Sequence, residues 1–122
     1  MRFIIQLWSD EARPVSPTLV SALAQFNEQL SQAGVLLSAE GLVKSDSGVR
    51  ITMAEGARNV RPGPFRDAPQ LGAGFWIIRA RSKHEALHWA ERCPLAEGDH
   101  LELRQLYGLS DLALAESEMA LV

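Results

Sequence analysis

The residues of this chain able to do chemistry are few and scattered. His84-Glu85-Ala86-Leu87-His88 reads H-E-x-x-H, the spacing that puts two imidazoles on one helix face with a carboxylate as base, as zinc peptidases require. At about 100° per residue, Ala86, Trp89, Ala90 and Cys93 gather on one side with Leu87 at the edge. His84 and His88 then fall opposite, beside Glu91, and Glu85 is engaged as the last residue of a capping box. No third ligand is indicated, so we expect a solvated helix face and no metal or other cofactor. Cys93 lies at a helix C-terminus, where the dipole raises a thiol pKa, and it faces the apolar side; it reads as a small buried residue. Glu40 and Asp67 are the candidate catalytic pair. Two carboxylates brought close push one pKa up, as acid–base work requires; apart, each would only fix loop amides or arginines. Glu102 and Arg104, two residues apart on a strand, suit a cross-strand or interface ion pair. There is no G-x-S-x-G, P-loop or dinucleotide fingerprint, and Gly72 and Gly74 precede a strand and not a helix.

The elements that must position these groups centre on Arg61–Ile78. Pro62, Pro64 and Pro69 fix φ and remove backbone donors, which gives a shaped loop anchored by Phe65. The loop leads into a strand over Gly74–Ala80. Upstream, Arg2–Trp8 is a strand whose nearly continuous apolar run suits cover on both faces. Ser16-Pro17 opens a helix carrying Leu19, Leu23, Phe26 and Leu30 on one face, ended by Gly34. Val35–Val43 is a strand with a bulge or close approach at Gly41, and Val49–Ala54 pairs with Ala57–Val60 across Glu55-Gly56. Ser82 caps a helix that runs to Arg92 or Cys93 before Pro94. His100–Tyr107 alternates as a half-buried strand, and Ser110–Met119 suits a short amphipathic helix in a tail beginning at residue 108. The order βαβ, hairpin, βαβ predicts an α+β, ferredoxin-like fold: an antiparallel sheet with both helices on one face. The aromatics Trp8, Phe75 and Trp76 on its strands call for cover on the other face, most simply a second copy.

Composition narrows the class. The 122 residues carry a net charge of −3, which disfavours nucleic acid, since phosphate binding needs a clustered basic surface. One cysteine cannot form an intramolecular disulfide and fits a reducing compartment. No stretch approaches the roughly 20 apolar residues of a membrane span. We expect a cytoplasmic protein with no membrane or nucleic-acid partner.

Gly63-Pro64-Phe65, Asp67 and Gly74-Phe75, in that order, resemble the DGPF branch of the YCII-related family. The likeness extends to Ala33-Gly34-Val35-Leu36-Leu37, Glu40-Gly41-Leu42, Glu85-Ala86-Leu87, Cys93-Pro94 and Glu102-Leu103-Arg104, covering residues 1–107. It implies a ferredoxin-like subunit that pairs through its sheet into a dimeric α+β barrel. It also implies either a pocket with a His–Asp pair or a role near transcription regulators. The chain departs from the pattern at Pro62, where the motif has aspartate, and at Pro69-Gln70, where it has Lys-Glu; no histidine precedes His84.

The resulting expectation is a homodimer binding a small polar molecule in a cleft between the Arg61–Gln70 loop and the sheet. Gly41 and Gly63 allow close approach, Glu40 and Asp67 supply acceptors or one acid, and Arg66 or Arg104 a counter-charge. Trp8 or Trp76 would form a flat apolar floor, and Phe65 of the loop is a further candidate for ligand contact. The alternative is a non-catalytic regulatory or assembly module whose pocket is filled by Trp8, Trp76 or Phe65.

Overall fold

The computed structural model describes residues 1–108; the expected C-terminal helix over Ser110–Met119 lies outside them. The elements are β1 (Arg2–Ser9), α1 (Pro17–Gln32), β2 (Leu36–Gly41), β3 (Val49–Ala54), β4 (Ala57–Pro62), β5 (Leu71–Arg79), α2 (Lys83–Ala90) and β6 (His100–Gln105). A single 3₁₀ turn occupies Ser45–Ser47. The main sheet has the order β2-β5-β1-β6 with every neighbour antiparallel, and β3-β4 forms a separate ribbon. This is the ferredoxin-like βαββαβ arrangement with a hairpin inserted between β2 and β5, as the element order predicts.

Local chemistry sets the helix ends. Ser16 Oγ accepts the Leu19 amide at 3.3 Å, and Pro17 stands at the first helical position. At the other end Gly34 takes φ +73, so that its amide reaches Ser31 O and the Val35 amide reaches Leu30 O, a Schellman closure. Ser82 Oγ accepts the Glu85 amide at 3.1 Å, while the Glu85 carboxylate accepts from the Arg81 amide. α2 ends at Ala90, earlier than the expected Arg92 or Cys93. The amides of Arg92 and Cys93 bond three residues back, to Trp89 O and Ala90 O, which tightens the last turn.

The core lies between one sheet face and both helices. Phe3 pairs with Ile78 and Ile5 with Trp76, so the four share a face. Phe26 and Leu30 of α1 and Ala86 and Ala90 of α2 pack on them. The Trp76 ring meets Phe26 edge-on at 5.4 Å, and its Nε1–H donates to Asn27 Oδ1 at 2.6 Å. Ile4, Phe75 and Ile77 occupy the opposite face, where neither helix reaches. Among the described residues, the continuous run in β1 has helices over one face. The register slips in β2 at Leu37, and not at the expected Gly41; in β5, Ala73 is left unpaired opposite the step from Leu7 to Trp8.

Asn27→Ala removes the acceptor of a buried indole N–H. We predict a loss of about 1–3 kcal/mol in urea unfolding, and an unchanged midpoint would contradict the role given to this bond.

Candidate functional site

A cavity of about 1110 Å³ opens at the end of the sheet where β1 finishes and α1 begins. Its walls are the loop after β1, the first turns of α1, the segment between β2 and β3, Phe65, the start of β5 and the Pro94–Ala96 stretch. Trp8, Leu19, Leu23, Leu42, Phe65 and Leu95 make much of the lining apolar.

Ser45 joins three of these walls. Its amide donates to Glu11 Oε2 at 2.7 Å, its hydroxyl bonds Glu11 Oε1, and its Oγ accepts the Phe65 amide at 2.9 Å. Those bonds from the Ser45 side chain and amide hold the Glu11 carboxyl below its ordinary pKa. The chain at Gly63 passes so close that a Cβ there would lie 1.7 Å from Ser45 O, so only glycine fits. The following Gly63–Pro64 peptide bond is cis. Phe65 in turn carries the Arg50 guanidinium 4.2 Å over its ring.

Arg50 also binds both Asp67 oxygens, at 2.9 and 2.8 Å, and Arg61 adds a contact at 3.3 Å. Asp67 is therefore an ionised clamp at the base of the ribbon, its pKa lowered first by the Arg50 hydrogen bonds.

A second cluster closes the far wall. Asp99, with its side chain 2% exposed, accepts from Ser9 Oγ and Arg13 Nη2, both at 2.8 Å, and from the Ala96 amide at 3.1 Å. Burial pushes its pKa up, but the hydrogen bonds from Arg13, Ser9 and Ala96 and the arginine charge outweigh that and hold it low. Arg13 Nη1 reaches on to Glu97 O. Beside this cluster His100 stacks on Trp8, centroids 6.0 Å apart and planes 8° apart. His100 Nδ1 lies 2.5 Å from Gln70 Oε1, and the Gln70 amide donates to Gly98 O. Trp8 Nε1 is buried with no hydrogen-bond partner among the described residues.

Of the residues singled out from the sequence, Trp8 and Phe65 line the cavity. Trp76 is a core residue bonded to Asn27. Glu40 is exposed on β2 opposite Phe75, Gly41 and Arg66 are exposed, and Gly63 is spent on the approach to Ser45. Glu102 and Arg104 stand on the open face of β6. No hydrogen bond links Glu40 to Asp67. His84 and His88 are exposed on α2, and burial, with the Asp99 charge, pushes the Cys93 thiol up to about 12, so it stays protonated. Glu11, Arg13, Ser45, Asp99 and His100 were not singled out: 90 residues separate Ser9 from Asp99 and 34 separate Glu11 from Ser45, and only the folded chain pairs them. Gln70, noted in the sequence only as a departure from the resemblance, is the residue that meets His100.

Glu11, Asp67 and Asp99 are thus ionised and used as structural acceptors, and burial keeps the Cys93 thiol protonated. Because the folded pKa of Asp99 lies below its unfolded value, near 3.9, its contribution to stability is present above that value and is lost as pH falls through the folded pKa. We predict that the melting temperature of the parent drops more steeply on acidification below about pH 4 than that of Asp99→Asn. Parallel curves would contradict this.

A family model described as the YCII-related domain matches residues 1–110. No curated protein matches the chain. The match spans the whole α+β unit, including every wall of the cavity, and the chain belongs to the YCII-related family.

Proposed function

We propose that this protein is a cytoplasmic homodimer that binds a small, largely apolar molecule in the cavity beside Trp8, without catalysing a reaction on it. The observation that carries the reading is the cavity itself: about 1110 Å³, at the upper end for small-molecule sites, with aliphatic and aromatic walls and a few fixed polar groups. Trp8 and Phe65 line it without filling it, and Trp76 is withdrawn into the core. The apolar lining moves the ligand class away from the polar molecule expected from Glu40 and Asp67.

The dimer is supported by the open sheet face. Ile4, Phe75 and Ile77 are only half-buried there, on the side opposite both helices. Along β6 the charges alternate, Glu102 then Arg104, and neither has an ion-pair partner among the described residues. A two-fold axis across the strands, with the open faces stacked, sets Arg104 of one copy against Glu102 of the other. The competing reading, a regulatory or assembly module of the DGPF type near transcription control, draws support only from the uncovered ribbon treated below. No helix among the described residues is long and apolar enough to cross a membrane.

Titration with the apolar fluorophore anilinonaphthalene sulfonate tests the site. Leu23→Trp, which places an indole in the cavity, should weaken binding about tenfold or more, equivalent to about 1.4 kcal/mol. Glu40→Gln combined with Asp67→Asn should leave it within about twofold. Circular dichroism on each variant separates loss of site from loss of fold. If the carboxylate variant loses binding and Leu23→Trp does not, the ligand sits in the loop cleft and this assignment is wrong.

A further inference from the structure

We infer that the β3–β4 ribbon is an arm that lays its apolar face along the β2 margin of a second copy of this chain. The inference rests on the homodimer reading and goes beyond it by assigning a surface and its occupant.

The ribbon has two unlike faces. Val49 pairs with Pro62, Ile51 with Val60 and Met53 with Arg58, which puts these six on one side. Arg50 and Arg61, Thr52 and Asn59, Ala54 and Ala57 form the other. Its tip, Glu55 at φ 52 and Gly56 at φ 78, is the tight positive-φ turn whose twist suits a two-residue hairpin, so the register is set locally. The polar face is already engaged: Asp67 grips Arg50 and Arg61, and this clamp holds the ribbon to the body. The apolar face is left outward, with Ile51 59% and Val60 62% exposed. Among the described residues no strand of the main sheet pairs with the ribbon. A bare two-stranded ribbon is marginal in water, and one displaying four large apolar side chains, Val49, Ile51, Met53 and Val60, is a contact surface awaiting a partner.

The same chain carries a surface that fits it. β2 is an edge strand of the main sheet, with Leu37 exposed and Glu40 exposed and without an ion pair among the described residues. Arg58, within the apolar face of the ribbon, is likewise without one. The Arg58 cation, set among Val49, Ile51, Met53 and Val60, and the Glu40 carboxylate, on the strand that exposes Leu37, are opposite in charge. A two-fold axis across the strands stacks β2 of one copy over β2 of the other, and the ribbon is joined to β2 by residues 42–48 alone. Each copy gives an arm and receives one, which closes the assembly at two. Covering an edge strand in this way also removes a site of unwanted strand pairing.

Sedimentation equilibrium on the full chain tests this. The parent should be a dimer. Ile51→Ser with Val60→Ser should raise its dissociation constant about tenfold or more. Arg58→Glu should also weaken it, and adding Glu40→Arg should restore most of that loss. All the altered side chains are exposed, so the melting curve of each monomer should stay close to that of the parent. A parent dimer whose dissociation constant is unmoved by the serine pair overturns the arm and leaves the homodimer intact. Weakening by the serine pair without charge-swap rescue overturns the assignment to the β2 margin. A monomeric parent overturns the homodimer and the arm together.

Discussion

Two helices can cover only one face of a four-stranded sheet, and most of this protein follows from that constraint. Phe3, Ile5, Trp76 and Ile78 are sealed under α1 and α2, and the polar atom that this burial strands, Trp76 Nε1, is met by Asn27. The same seal commits Trp76 to the core and leaves Trp8, at the other end of β1's pairing with β5, to line the cavity. The opposite face then carries Ile4, Phe75 and Ile77, which neither α1 nor α2 reaches. Cavity and open face are thus two consequences of one arrangement.

The charges around the cavity serve mainly to hold its walls. Glu11 is bound by Ser45, Asp99 by Arg13 and Ser9, and Asp67 by Arg50 and Arg61. In each case hydrogen bonding to the charged form keeps the acid ionised, the opposite of what a general acid at neutral pH needs. Pro62 ends β4, and Gln70 supplies an amide that orients His100.

What the sequence made legible was what depends on neighbours in the chain. Ser16-Pro17, Gly34 and Ser82 with Glu85 each act within a few residues, and the helices start where those signals stand. Glu55-Gly56 likewise placed the hairpin turn. The run Phe3-Ile4-Ile5 has no alternation because both sheet faces are apolar there, Phe3 and Ile5 toward the helices and Ile4 opposite. The bulge fell at Leu37 and not at Gly41, since register is decided by the pairing of β2 with β5 and not by glycine alone. The cavity was least legible. Its wall bonds join Ser9 to Asp99, Glu11 to Ser45 and Gln70 to His100, and no local pattern announces such pairs.

The central claim is that the cavity beside Trp8 takes up a small apolar molecule. The chain has three tryptophans: Trp8 at the cavity, Trp76 in the core and Trp89 on α2. Their indole N–H resonances in an isotope-labelled sample report on the three places separately. During a titration with anilinonaphthalene sulfonate, the account predicts a saturable shift of the Trp8 resonance while those of Trp76 and Trp89 stay in place. A Trp8 resonance that does not move while the probe saturates the protein would contradict it.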